Sequence, residues 1–290
     1  MSNDINLRQN EQHTIHMLKA QAQLYTISSR CAVISIFSVI VVAIVAVSRL
    51  ICPNVSWLSD FSMLYGVAAS ILSLLLVMWQ KDIKTKAAGI QQEIDTYVFK
   101  LPWDQYVCGP HPKNDIISKY SHKNNNPDSR YENWYNIKLD ALPLNACRIL
   151  GMGENIEFDS SVKSKFLRDG IILSLAAIIL VTIGTYTNDV EAKDFWKYLV
   201  PMMPVILWLV NTLISIHSDK GNLNNMQDMF EGLWRRFKDG ENICIEDFKS
   251  FQIIIYLHRK GAYKIPDFYF KLHHNKLETE YSRIIDEYLN

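Results

Sequence analysis

The sequence predicts an all-α polytopic membrane protein: four transmembrane helices, arranged as two hairpins, and a helical cytoplasmic domain. Three observations carry this. The apolar residues, 49% of the chain, gather in four runs. Each run holds about 18–20 residues, near the ~20 a helix needs to cross the hydrocarbon core. Lysine and arginine gather near the membrane on one side of those runs. The organisation read from this is a cytoplasmic N-terminal helix (1–30), a first transmembrane hairpin (31–80), a cytoplasmic stalk and middle segment (81–169), a second hairpin (170–216) and a cytoplasmic helical segment (217–290).

Taken in order, the tail places Ile15, Leu18, Ala22 and Tyr25 at helical spacing, so a helix leads into the first span. That span is Cys31–Ser48, free of charge until Arg49. About 30 polar, helix-patterned residues precede it, which excludes a signal peptide. The second span is Ser62–Gln80, reached through a short connection, Pro53–Phe61, that lacks Lys and Arg. The third is Gly170–Thr187 and the fourth Tyr198–Ile216, joined by a segment with Asp189, Glu191 and Asp194 against Lys193 and Lys197. The opposite side carries Lys19, Arg30, Lys81, Lys84, Lys86, Lys163, Lys165, Arg168 and Lys220. The positive-inside rule then puts both termini and the middle segment in the cytoplasm. Arg49 opposes this but sits at a helix end, from which its guanidinium can snorkel. Trp57, Trp79 and Trp196 fall at span ends, as interfacial anchors do.

Beyond the second span, Ile83, Ala87, Ile90, Ile94 and Tyr97 continue in coiled-coil spacing until Leu101-Pro102. Beyond the fourth, Leu223, Met226, Phe230, Leu233 and Phe237 do the same until Lys238-Asp239-Gly240. The two seams can pair within the chain or between subunits. A further helix is expected over Ile245–Lys260, with Glu246 and Asp247 in its first turn and His258-Arg259-Lys260 in its last, matching the helix dipole. Pro266 suits the start of a final helix with Leu277, Tyr281, Ile284 and Tyr288 on its apolar face. His122–Ser129 is expected to be an exposed loop.

Composition and motifs exclude several functions. Thirty Lys and Arg balance thirty Asp and Glu, so no global basic field exists to hold a nucleic acid polymer. Cys31, Cys52, Cys108, Cys147 and Cys244 are odd in number and scattered, against a disulfide framework or zinc site. H-E-x-x-H, G-x-S-x-G and Walker patterns are lacking, and Gly151-Met152-Gly153 is too short for a dinucleotide fingerprint. His13 and His16, one turn apart, read as solvent-facing rather than metal ligands. Asn54-Val55-Ser56 matches a glycosylation sequon, a triplet common by chance. The expectation is a protein without catalysis, cofactor or metal.

Within the spans, Ser62, Gly66, Ser70, Ser73, Val77 and Gln80 lie within about 80° on a helical wheel. The fourth span adds Pro204, Trp208, Asn211 and Ser215 on one face; Ser35, Ser38, Ser174, Thr182 and Thr185 add small polar groups elsewhere. Such a stripe either lets helices pack closely or lines water. No acidic or basic residue interrupts a span, against ion-coupled transport. If the stripe lines water, Ser70, Ser73, Asn211 and Ser215 are the pore-lining candidates.

The order of segments, together with short motifs, resembles a known family. Arg8-Gln9-Asn10-Glu11 and Ala20-Gln21-Ala22-Gln23-Leu24-Tyr25 resemble its opening. Leu101-Pro102-Trp103, Leu142-Pro143-Leu144 and Arg148 resemble its middle; His258-Arg259, Ile265-Pro266-Asp267-Phe268-Tyr269 and Glu278 resemble its end. The chain departs from the pattern at Ala22, Ile253 and Phe268, where arginine, an acidic residue and tryptophan are commoner. The family is that of the SMODS-associated four-transmembrane effectors of bacteria. The resemblance implies a pore-forming effector of cyclic-oligonucleotide antiphage defence (CBASS). It also implies a cyclic oligonucleotide ligand from an adjacent nucleotidyltransferase, and disruption of the lipid bilayer that kills the infected cell. A homo-oligomer is expected, since one four-helix unit has little room for a pore. The alternative is a membrane-anchored binding or scaffold protein. A cyclic nucleotide needs cations beside aromatic rings. Two clusters offer them: Arg130, Trp134, Tyr135 and Arg148 with Tyr131, and Trp234, Arg235 and Arg236. Both also admit an ordinary reading, as core aromatics and as a basic turn against anionic lipid.

Overall fold

The computed structural model describes residues 4–52, 55–135, 139, 142–153, 156–187, 190–191, 194–269 and 272. The sequon asparagine and the final helix face from Leu277 to Tyr288 lie outside the described residues. Those described form α-helices and short 3-10 turns. In chain order the helices are α1 (Ile5–Gln9), α2 (Gln12–Ile51), α3 (Ser56–Val98), α4 (Gln105–Cys108), α5 (Asn114–His122), α6 (Leu144–Gly153), α7 (Ile156–Thr187), α8 (Trp196–Leu199), α9 (Met203–Lys238) and α10 (Ile245–Gly261).

Four of these helices are long and apolar enough to cross a membrane: α2, α3, α7 and the α9 region from Val200. The expected tail helix and first span are one rod, and α3 runs unbroken through span and stalk. Its 43 residues reach about 65 Å, twice a hydrocarbon core. The apolar runs form a belt of outward-facing side chains. Leu64 is 72% exposed and Leu173 is 70% exposed, values that only lipid makes tolerable. Trp57, Trp79 and Trp196 are exposed at the ends of the spans. The fourth span starts as α8, passes through a 3-10 turn at Val200–Met202 and becomes α9. Pro201 and Pro204 account for the break, because neither can donate an intrahelical hydrogen bond.

Inside the belt, Val39, Val42, Ala46, Ala69, Val181, Met202 and Val205 form a small core among all four spans. Arg49, the charge that opposed the orientation rule, is buried with its guanidinium 4.3 Å from the Tyr198 ring centre.

Beyond one end of the belt, the same helices enter a helical body with its own core. Both coiled-coil seams are buried there within one chain, from Ile83 to Ile94 and from Leu223 to Leu233. They do not form a two-helix seam alone. α3 packs most extensively on α2, α10 packs against both α3 and α9, and α6 packs against α9 and α10. The glycines of Gly151-Met152-Gly153 serve this packing. A Cβ on Gly151 would lie 2.6 Å from the Phe99 ring, and one on Gly153 would lie 2.5 Å from the Phe230 ring. The predicted helix over 245–260 is α10, with Cys244 and Asp247 closing a capping box and His258-Arg259-Lys260 in its last turn.

The expectation of an exposed loop over His122–Ser129 needs correction at its centre. Asn124 is 5% exposed; its amide donates to the Lys19 carbonyl at 2.9 Å and to the Tyr131 hydroxyl at 2.7 Å. Lys19 and Asp128 add an ion pair at 2.7 Å. Polar composition signals a turn, and most of 122–129 is exposed, but Asn124 pins the turn to α2.

Candidate functional site

The chain-end motifs of the sequence converge on one carboxylate. Asp95 of α3, 2% exposed, accepts from the Gln252 amide at 2.8 Å and from the Tyr135 hydroxyl, and pairs with the Arg259 guanidinium. A buried carboxylate with three donors is satisfied, and these donors fix α10 and the 131–135 turn against α3. The opening motif secures the same turn. Gln9 accepts from the Tyr135 N–H at 2.7 Å, and Asn10 accepts from the Asn133 N–H at 2.8 Å. Arg8 donates to the Tyr97 carbonyl at 2.8 Å, and Tyr97 donates to Glu11 at 2.6 Å. Asn133 takes the left-handed conformation, φ 54°, that turns the chain there.

Beside this network lies a cavity of about 300 Å³, at the lower end of the range for small-molecule sites. Its cations are Lys84, Arg259 and Lys264, with His258 close by; its rings are Tyr25, Trp134 and Tyr263. Among the described residues no Asp or Glu lines it. Asp95 balances Arg259, and Asp267 lies 3.2 Å from Lys264. Lys84 has the least compensation. Its ammonium donates to the carbonyls of Ala262 at 2.7 Å and Gly261 at 3.3 Å, at the C-terminus of α10. Burial pushes its pKa down to about 8, against the upward pull of Asp219.

The chain after α10, from Ala262 to Tyr269, straps this cavity to the spans. The Tyr263 N–H donates to Asp219 at 2.7 Å, and its hydroxyl lies 3.3 Å from the Thr212 hydroxyl. Asp219 also pairs with Lys163 at 2.8 Å, linking α9 and α7. The Asp267 N–H donates to Ser29 at 2.8 Å, and Tyr269 donates to Asp169 at 2.7 Å. Ile265 packs in a junction core with Val162, Phe166 and Ile216. The strap therefore touches α2, α7 and α9 where they leave the membrane.

A second cavity, about 50 Å³, lies among the spans at this end. Ser35, Ser73, Gln80, Asn211, Thr212 and the same Tyr263 contribute polar groups to it. It is large enough for a water or two and too small to conduct ions. The stripe of α3 thus divides. Towards the far side, Ser62 and Gly66 are buried, and a Cβ on Gly66 would lie 3.2 Å from the Pro201 backbone, a packing contact. Towards the body, Ser73 faces the cavity, and Gln80 donates to the Ser28 carbonyl at 2.9 Å. Ser70 returns its hydroxyl to the Gly66 carbonyl at 2.9 Å; neither it nor Ser215 lines the cavity.

Of the aromatic and basic residues singled out from sequence, only Trp134 lines the larger cavity. Arg148 donates to the carbonyls of Phe99 at 2.8 Å and Lys100 at 3.0 Å, closing the end of α3. Arg236 pairs with Asp247 at 3.1 Å and Glu241 at 3.2 Å. Tyr135 and Trp234 are buried in the body core. Arg130 and Arg235 lie on the surface. Lys84, Lys264 and Tyr263 were missed as site residues. The signal that pointed to this region was the pair of end motifs: His258-Arg259 precedes the strap and Ile265-Pro266 lies within it.

No solved structure matches the chain. A probable CBASS effector molecule of Bacillus cereus (strain VD146) is 21% identical over 277 residues, covering 93% of this chain and 92% of that protein. The SMODS-associating 4TM effector domain matches residues 3–288, from the opening helix through all four spans, the body and the strap. The four membrane helices required by that description are the four seen here, and the protein belongs to the SMODS-associating 4TM effector domain family.

Proposed function

We propose that this protein is a membrane-disrupting effector of CBASS antiphage signalling, activated from the cytoplasm by a nucleotide second messenger, and that it acts without catalysis. The observation that carries the reading is a seam of uncharged spans with a small polar cavity, set directly above a cation- and ring-lined cavity in the helical body. The enclosed membrane cavity is a resting state, so conduction requires rearrangement and association of several copies in the bacterial inner membrane. Asn211 supports association: it borders the cavity, yet as a residue it is exposed on the spans, where lipid offers an amide no hydrogen bond. Ser73 and Asn211 are the leading pore-lining residues, with Ser70 and Ser215 beside them.

The test is purified protein in dye-loaded liposomes, challenged with a panel of cyclic di- and trinucleotides. Release with one of them supports the reading. Retention with every nucleotide and with extract of infected cells favours the scaffold alternative, to which the Gly66–Pro201 packing contact already lends weight in half of the stripe. The cytoplasmic placement of the body rests on the charge distribution. A cysteine at the exposed Asn125 should resist membrane-impermeant reagents in intact spheroplasts and react after lysis.

A further inference from the structure

We propose that the cavity of the helical body is the nucleotide site, holding a phosphate between Lys84 and Lys264 and a base against Trp134, and that occupancy draws the Ala262–Lys264 strap away from the membrane cavity. The proposal rests on the nucleotide-activation reading above and deepens it by locating the site and the moving part.

Three features of the cavity define the ligand. Its lining holds three basic side chains and, among the described residues, no carboxylate, so it favours an anion. Trp134 is 39% exposed at the cavity, available as a platform for a flat ring, while its neighbour Tyr135 is anchored to Asp95 and Gln9. The cavity volume, about 300 Å³, suits one base with its phosphate, leaving the rest of a cyclic oligonucleotide to project outward. Lys84 spends its ammonium on two backbone carbonyls, weaker acceptors than a phosphate oxygen.

The same contacts explain how binding reaches the membrane. Lys84 holds the strap through the Ala262 carbonyl, and the next residue, Tyr263, donates to Asp219. Tyr263 lines both cavities and lies close to Thr212 of the fourth span. A phosphate that takes the Lys84 ammonium releases Ala262. Lys264, drawn to the same phosphate, pulls the strap in the opposite sense from Asp219. Withdrawal of Tyr263 opens the membrane cavity towards the body and frees Asn211 and Ser73 for water.

The experiment measures two quantities on the full-length protein in detergent and in liposomes: nucleotide binding by calorimetry and nucleotide-triggered leakage. The probes are cyclic di- and trinucleotides. One member of the panel should bind wild type. Trp134→Ala should weaken that binding by roughly five- to a hundredfold, the scale of one base–aromatic stack. Lys264→Gln should also weaken it; both side chains are partly exposed, so thermal unfolding should stay near wild type. Trp134→Phe should recover most of the affinity. Tyr263→Phe loses its hydroxyl contacts with Thr212 and Trp208, so it should leak at lower nucleotide concentration and bind nucleotide at least as tightly as wild type. If wild type binds and leaks while Trp134→Ala and Lys264→Gln bind equally well, the site assignment is overturned and nucleotide activation stands. Loss of binding in Arg235→Ala, with the cavity variants unaffected, would move the site to the end of α9. Wild type that binds no member of the panel overturns the site and direct nucleotide activation together. Normal binding with an unaltered leakage threshold in Tyr263→Phe removes the strap from the mechanism.

Discussion

Replacing Lys163 by alanine strands a carboxylate at the junction of spans and body. The Lys163 side chain is 1% exposed, and its ammonium lies 2.8 Å from Asp219, whose side chain is 5% exposed. Removing one partner of such a buried pair costs about 3–5 kcal/mol, because the remaining charge keeps its desolvation penalty and loses its compensation. Two features lower the figure here. Asp219 keeps the Tyr263 N–H at 2.7 Å, and the nearby Lys84 ammonium still attracts it. The expectation is therefore the lower end, about 3 kcal/mol. With ~2–4 °C per kcal/mol for a chain of this order of size, Tm should fall by about 6–12 °C. The assay is thermal unfolding of the detergent-solubilised protein followed by tryptophan fluorescence. A double variant, Lys163→Met with Asp219→Asn, removes both charges while leaving an amide oxygen for the Tyr263 N–H, and should recover most of the loss. A loss below about 1 kcal/mol in Lys163→Ala, or a double variant as unstable as that single one, would refute the reasoning.

Three further outcomes follow from the geometry. Gly153→Ala should cost about 1–3 kcal/mol through overpacking, since its Cβ would meet the Phe230 ring at 2.5 Å; urea unfolding of the solubilised protein measures it, and an unchanged midpoint would contradict the packing. Ser73→Leu should abolish leakage and Ser70→Leu should leave most of it, because only Ser73 faces the cavity; equal effects in both would return the whole stripe to one role. Nucleotide binding should take up protons through Lys84. Its pKa in the fold is about 8 against 10.5 for the free side chain, under the combined influence of burial, Asp219, Lys163 and Lys81. Below 8 the fold bears the full penalty of the buried cation. Between about 8 and 10.5 the unfolded chain holds more protons, so stability rises with pH across that window. A phosphate restores the charge, so affinity falls as pH rises through 8, with uptake of about half a proton per chain at pH 8 and about a tenth at pH 7. Calorimetry in buffers of different ionisation enthalpy reads this directly; equal heats in all of them at pH 8 would exclude Lys84.

The spans, the stalk seams and the polarity of α10 were legible in the chain itself. Each depends on local quantities: apolar run length, spacing around a single helix, and charge near a helix end. Lipid and the helix backbone impose those requirements whatever the rest of the chain does. Family resemblance added the role, through motifs whose individual residues gave no reason for their presence. The structure supplies that reason for several of them. Arg8-Gln9-Asn10 and His258-Arg259 are far apart in sequence and hold opposite sides of one turn around Asp95. What only the tertiary structure decided was partnership. Arg148 and Arg236 looked like phosphate ligands because arginine near aromatics is a correct chemical pattern, yet backbone carbonyls claim one and two carboxylates claim the other. Lys84, an ordinary positive charge beside a membrane in the sequence, becomes a desolvated ammonium because the end of α10 covers it. The α3 stripe is continuous on a wheel, but Pro201 fills its far half and leaves its near half open, since a helical wheel records direction and not what stands opposite.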